Sequence, residues 1–180
     1  VRTIWKIGDR ALGDYRLKTE VCNTLVDTFS ARIPELPERA QKLEQNLKQA
    51  EWEIGRLQKR LAGELAARLA AGASTGATGS LMVTGHFDGE AKELFRAVAE
   101  DLAERPGIAS CLTNEVEGRL QWIITAGEGV ELDFARVRSE LLPLIAGKGG
   151  GKPPIWQGVG DAPDGAPAFA AAFAELAGGS

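Results

Sequence analysis

Between Leu36 and Leu61 an apolar residue recurs at alternating steps of four and three: Leu36, Ala40, Leu43, Leu47, Ala50, Ile54, Leu57 and Leu61. A seam with that repeat stays on one side of a helix over many turns, so the stretch has to be a long amphipathic helix. After a slip in phase the pattern continues through Leu65 and Leu69 to about Ala71, which gives a rod of about 50 Å at ~1.5 Å per residue. Upstream, Leu12, Tyr15, Cys22, Leu25, Val26 and Phe29 keep helical spacing from Asp9, a candidate N-cap, to about Arg32. The short turn Ile33–Pro37, broken by two prolines, favours folding the two helices back as an antiparallel hairpin. So narrow a strip also suits a second subunit, and both readings stand. Trp52 lies off the seam at an outward position. There it serves either packing against a neighbouring domain or a partner contact.

The segment 72–80, GASTGATGS, has the composition of a linker and divides the helical arm (1–71) from a second region, 81–180. That region reads as a strand at 81–85, a helix over 89–105, strands at 108–113 and 119–126, and a helix from about Asp133 to Ala146. A glycine-rich loop, a short strand at 155–159 and a helix at 167–177 complete it. The predicted fold class is α/β: a long, coiled-coil-like helical hairpin followed by a small α/β domain with a mixed sheet. The first residues, VRTIWKI, alternate as a strand does. The chain begins with Val1, as a piece of a longer protein would.

Charge is unevenly spread. Residues 1–72 hold 13 Lys and Arg against 10 Asp and Glu, whereas 73–180 hold 8 against 15. Beyond Arg138 the only cations are Lys148 and Lys152, both inside GKGGGKPPIWQGVG (147–160). Glycine-rich backbone lets a ligand approach bare amides, and two flanking ammonium groups favour a phosphate guest. On composition alone, a mobile connector explains the run equally well.

Several chemistries are excluded. Cys22 and Cys111 stand far apart and His86 is the only histidine, so no zinc spacing exists. The two cysteines read as buried reduced thiols, in keeping with a cytoplasmic protein. A nucleotide P-loop would need glycine where Lys152 stands. No carboxylate pair suggests acid–base work, no catalytic residue stands out, and no apolar run is long enough for a membrane span.

The run GKGGGKPPIWQGVGD closely resembles the glycine motif of the RNA-binding domain associated with DHH phosphoesterases, which is also found at the C-terminus of alanyl-tRNA synthetases. Gly147, Gly149, Gly150, Gly151, Lys152, Pro153, Gln157, Gly158 and Gly160 fit its pattern; Trp156 replaces a smaller residue. GDRALGDY (8–15) is similar to the segment that follows the editing domain in alanyl-tRNA synthetases and their free-standing editing relatives. The resemblance implies a tRNA-binding module, with tRNA(Ala) the expected partner. Its parent would hydrolyse mischarged aminoacyl-tRNA in a zinc-dependent editing domain whose ligand motifs are missing here, so no cofactor is expected within this chain. The expected RNA site comprises Lys148, Gly149, Gly150, Gly151, Lys152, Trp156, Gln157, Gly158 and Gly160, with Trp156 either stacking on a base or packing inward. Lys42, Lys48, Arg56, Lys59 and Arg60 on the arm extend the footprint or merely solvate the helix. The competing expectation is an assembly element, in which the arm forms a homodimer without touching RNA.

Overall fold

A computed structural model describes residues 7–76 and 79–178; the strand expected at 1–7 lies almost entirely outside them. The chain divides into two compact units, residues 1–54 and 55–180, with the division inside the long helix.

In the first unit, helix α1 (Asp9–Phe29) follows Gly8, whose φ of 64° only glycine adopts readily. Asp9 is thus in the first turn rather than at the cap. Ser30 ends the helix in a left-handed conformation and the chain turns through a short 3-10 segment, Ile33–Glu35. Arg32 clasps this turn: its N–H donates to Glu35 Oε2 at 3.1 Å and its guanidinium pairs with the same carboxylate. Ala31 and Leu36 are buried there. Helix α2 (Leu36–Ala71) then runs unbroken for 36 residues. A closed hairpin would cover the seam, yet α1 buries no residue, and Leu43, Leu47 and Ile54 remain 56–58% exposed. The apolar stripe is therefore open in the single chain.

In the second unit the phase slip has a physical reason. Leu57 and Leu61 continue the exposed seam, but one step on, Ala62 and Ala66 are fully buried, with Leu65 and Leu69 beside them. The helix changes which face it buries, and two alanines one turn apart allow close approach to the sheet domain's core.

Among the described residues six strands form a mixed sheet in the order β1-β2-β3-β4-β6-β5. They are β1 (Ser74–Thr75), β2 (Leu81–Asp88), β3 (Ile108–Val116), β4 (Arg119–Ala126), β5 (Gly147–Lys152) and β6 (Ile155–Gly160). Only β2 and β3 are parallel, joined by the crossover helix α3 (Lys92–Ala103). Ser74 and Thr75, inside the stretch read as a linker, pair with Met82 and Leu81. β3 and β4 meet at Glu117-Gly118, both with positive φ, as a two-residue hairpin turn demands. The expected helix near 133–146 begins with Asp133 capping Ala135 N–H at 2.8 Å. It passes from α4 (Phe134–Arg136) into a π turn, Val137–Leu141, and a 3-10 turn, Leu142–Ile145. Pro143, which has no N–H to donate, stands where the regular ladder fails. Helix α5 (Ala166–Gly178) ends the described chain.

Each sheet face has its own core. Leu94, Phe95, Val98 and Leu102 of α3 meet Val83, Leu112 and Ile123 on one side. On the other, Phe169, Phe173, Leu141 and Ile145 meet Cys111, Trp122, Ile124 and Trp156. Cys111 is fully buried, which pushes its thiol pKa up; Cys22, also expected to be buried, is only half-buried.

Candidate nucleic-acid interface

The glycine run is not a loop. Gly147–Lys152 forms β5, the outermost strand, paired antiparallel with β6 through the turn Pro153–Pro154. The register sets Gly147 opposite Gly160, Gly149 opposite Gly158, and Gly151 opposite Trp156. Most of these glycines are required by packing. A Cβ on Gly149 would lie 2.3 Å from Gln157 O and 2.5 Å from Trp122 Cζ2, and one on Gly158 2.0 Å from Lys148 O and 2.6 Å from the same indole atom. Gly151 and Gly160 are closed in similarly by Ile155 O and Ile145 O. The glycines let two strands lie flat across Trp122. Gly150 alone of this strand has open space where a side chain would stand.

This corrects the picture of a phosphate-cradling nest, since one edge of β5 is already hydrogen-bonded to β6. As the end strand, β5 still turns alternate N–H and C=O groups outward, away from β6.

Side-chain alternation divides the expected site residues between the two faces. Trp156 points inward: it is 4% exposed and its ring stacks on Phe134, centroids 5.5 Å apart and planes 6° from parallel. It cannot offer a face to a base. Trp122, fully buried, donates its indole N–H to Val159 O at 3.4 Å. On the opposite face the register aligns Lys148 with Val159, Gly150 with Gln157, and Lys152 with Ile155. Lys148, Lys152 and Gln157 are all exposed, and neither lysine pairs with a carboxylate among the described residues.

This face also holds residues that motif reading missed. Gln121 of β4 lies one step from the buried Trp122 and so on the side of Gln157. Lys92 and Arg96, one turn apart on α3, overlook the same strands. The groove between α3 and β4–β6 has a volume of about 320 Å³. The missed signal was present in two periods, the alternation in RLQWIITA and the i, i+4 spacing on the polar side of α3. At the β5 edge, Arg138 borders a second hollow of about 500 Å³ that residues 147–149 also line, floored by Leu142, Pro143 and Ala146. Along the arm, Lys48 and Arg60 are engaged with Glu44 and Glu64.

No protein-family model matches the chain. Among curated proteins it is similar to alanine–tRNA ligases. The Nocardioides sp. enzyme is 33% identical over 150 residues, 76% of this chain and 16% of the relative. The Nocardia farcinica enzyme is 30% identical over 163 residues, 83% of this chain and 18% of the relative. The Solibacter usitatus enzyme is 27% identical over 159 residues, 87% and 18%. Among solved structures, the C-Ala domain of Aquifex aeolicus alanyl-tRNA synthetase aligns with a TM-score of 0.54 at 21% identity, covering 59% of this chain and 98% of that one. This chain is a relative of alanyl-tRNA synthetases. It shares the C-Ala fold and spans less than a fifth of the length of those three synthetases.

No three of His, Cys, Asp and Glu converge among the described residues. His86 places Nδ1 3.0 Å from Thr113 Oγ1, a contact within the sheet. No described helix is long and apolar enough to cross a membrane.

Proposed function

We propose that the chain is a tRNA-binding module of an alanyl-tRNA synthetase or alanyl-tRNA editing protein, gripping the RNA backbone on the β5–β6 hairpin. The observation that carries the reading is the outer strand itself. Its outward amides run beside Lys148 and Lys152, two cations with no carboxylate partner among the described residues, on an acidic domain. Phosphate oxygens accept from backbone N–H groups and ammonium groups alike. Gly150, open above its position, leaves room for a sugar–phosphate strand to lie against the main chain. Gln157 then reaches a base edge or ribose hydroxyl. The partner is tRNA(Ala), and any zinc-dependent hydrolysis of mischarged tRNA belongs to an editing domain elsewhere in the parent.

Titration with a tRNA(Ala) transcript across a salt series tests this. Lys148→Ala with Lys152→Ala should weaken binding and reduce the salt slope by roughly 0.7–0.9 for each phosphate that is no longer neutralised. Unaltered affinity and slope would remove the hairpin from the interface.

A second reading rests on the uncovered seam of α2. Leu43, Leu47 and Ile54 form an apolar row in which each residue is more than half exposed, as a helix awaiting a second copy would present. Light scattering should then give a dimer that Leu47→Glu with Ile54→Glu converts to a monomer. A monomer before and after the substitutions removes the arm as an assembly element.

A further inference from the structure

The groove beside α3 has a composition that phosphate binding alone does not call for. Its floor is apolar, made by Phe95 and Ile123, both almost fully buried. Two carboxamides, Gln121 of β4 and Gln157 of β6, stand on the same sheet face over adjacent strands, diagonal neighbours because Gln121 pairs with Val159 and Gln157 with Ile123. Lys92 and Arg96 border it from α3, Arg96 being paired with Glu100 at 2.8 Å, and no carboxylate among the described residues lines it. Across β6, Lys148 stands beside Val159, another lining residue. The hollow thus lies between Lys92 of α3 on one side and Lys148 of β5 on the other.

A carboxamide carries both a donor pair and an acceptor, the combination that matches a nucleobase edge. At about 320 Å³ the groove falls at the small end of ligand pockets, which run from roughly 300 to 1,000 Å³. A base held within a duplex cannot enter such a hollow, whereas one from a loop or bulge can be splayed into it. We infer that this groove receives a single unstacked base of the bound RNA. Gln121 and Gln157 take its edge, and Lys92 and Lys148 hold the flanking phosphates.

The inference rests on the RNA-binding reading, and the experiment separates the two. The full 180-residue chain is titrated with a tRNA(Ala) transcript and with four fluorescein-labelled pentaribonucleotides, A5, C5, G5 and U5. Wild type should rank the four oligonucleotides unequally. Gln121→Ala with Gln157→Ala should level that ranking and weaken tRNA binding about tenfold, the size of one good base interaction, with the salt slope unchanged. Both glutamines are at least partly exposed, so the fold tolerates the change; circular dichroism checks it. Equal binding of all four oligonucleotides by wild type overturns the base pocket. So does a glutamine double variant that keeps the wild-type ranking and affinity while Lys148→Ala with Lys152→Ala loses both affinity and slope; backbone docking then survives. If neither double variant alters tRNA binding, the docking reading falls and the pocket falls with it.

Discussion

Gly149 and Gly150 are neighbours with opposite duties. The first has no room for a methyl group, being 2.3 Å from a carbonyl oxygen and 2.5 Å from an indole carbon at the Cβ position, while the second faces open space. Gly149→Ala should therefore force the strands apart and destabilise the domain by about 1–3 kcal/mol, as overpacking does, whereas Gly150→Ala should leave urea unfolding unchanged. If Gly150→Ala also weakens RNA binding, the strand itself is the contact. Composition alone could not separate these two glycines, because it records the lack of a side chain but not what would collide with one. The same limit applied to Trp156. Its neighbour Gln157 was legible as exposed only once the register with β5 was known, and the stack on Phe134 joins residues that no local pattern links.

At the scale of elements, α3 is held at its start by a clasp. Asn114, fully buried on β3, accepts from Glu90 N–H at 3.1 Å and donates its side-chain N–H to Glu90 O at 2.9 Å. This fixes the turn between β2 and α3, and with it the positions of Lys92 and Arg96. Asn114→Ala strands both backbone groups and should cost about 1–3 kcal/mol in chemical denaturation, with weaker RNA binding accompanying it. Long elements were readable because their periods were long. The seam of α2 fixed the helix to its last turn, and its phase slip near Leu61–Leu65 marks where the buried face changes. β5 reads as a loop in the sequence because glycines carry no alternation; its strand character comes from pairing with β6 and from nothing local. The helix near 133–146 was legible as helical, but its π and 3-10 turns were not, since they reflect how Pro143 interrupts the backbone ladder.

For the molecule as a whole, the fold class and the relationship to alanyl-tRNA synthetases were both legible, the first in the order of elements and the second in one glycine motif. What the motif did not convey was the geometry: an open strand edge beside a sheet face that carries Lys148, Lys152, Gln121 and Gln157, in place of a flexible loop. The central claim is that RNA lies along this edge, and the amide spectrum of the ¹⁵N-labelled chain tests it most directly. Adding a tRNA(Ala) transcript should shift or broaden the amides of Lys148 to Lys152 and the side-chain amide of Gln157, leaving those of α1 in place. Perturbations confined to other elements, with the β5 signals unmoved at saturating RNA, would contradict it.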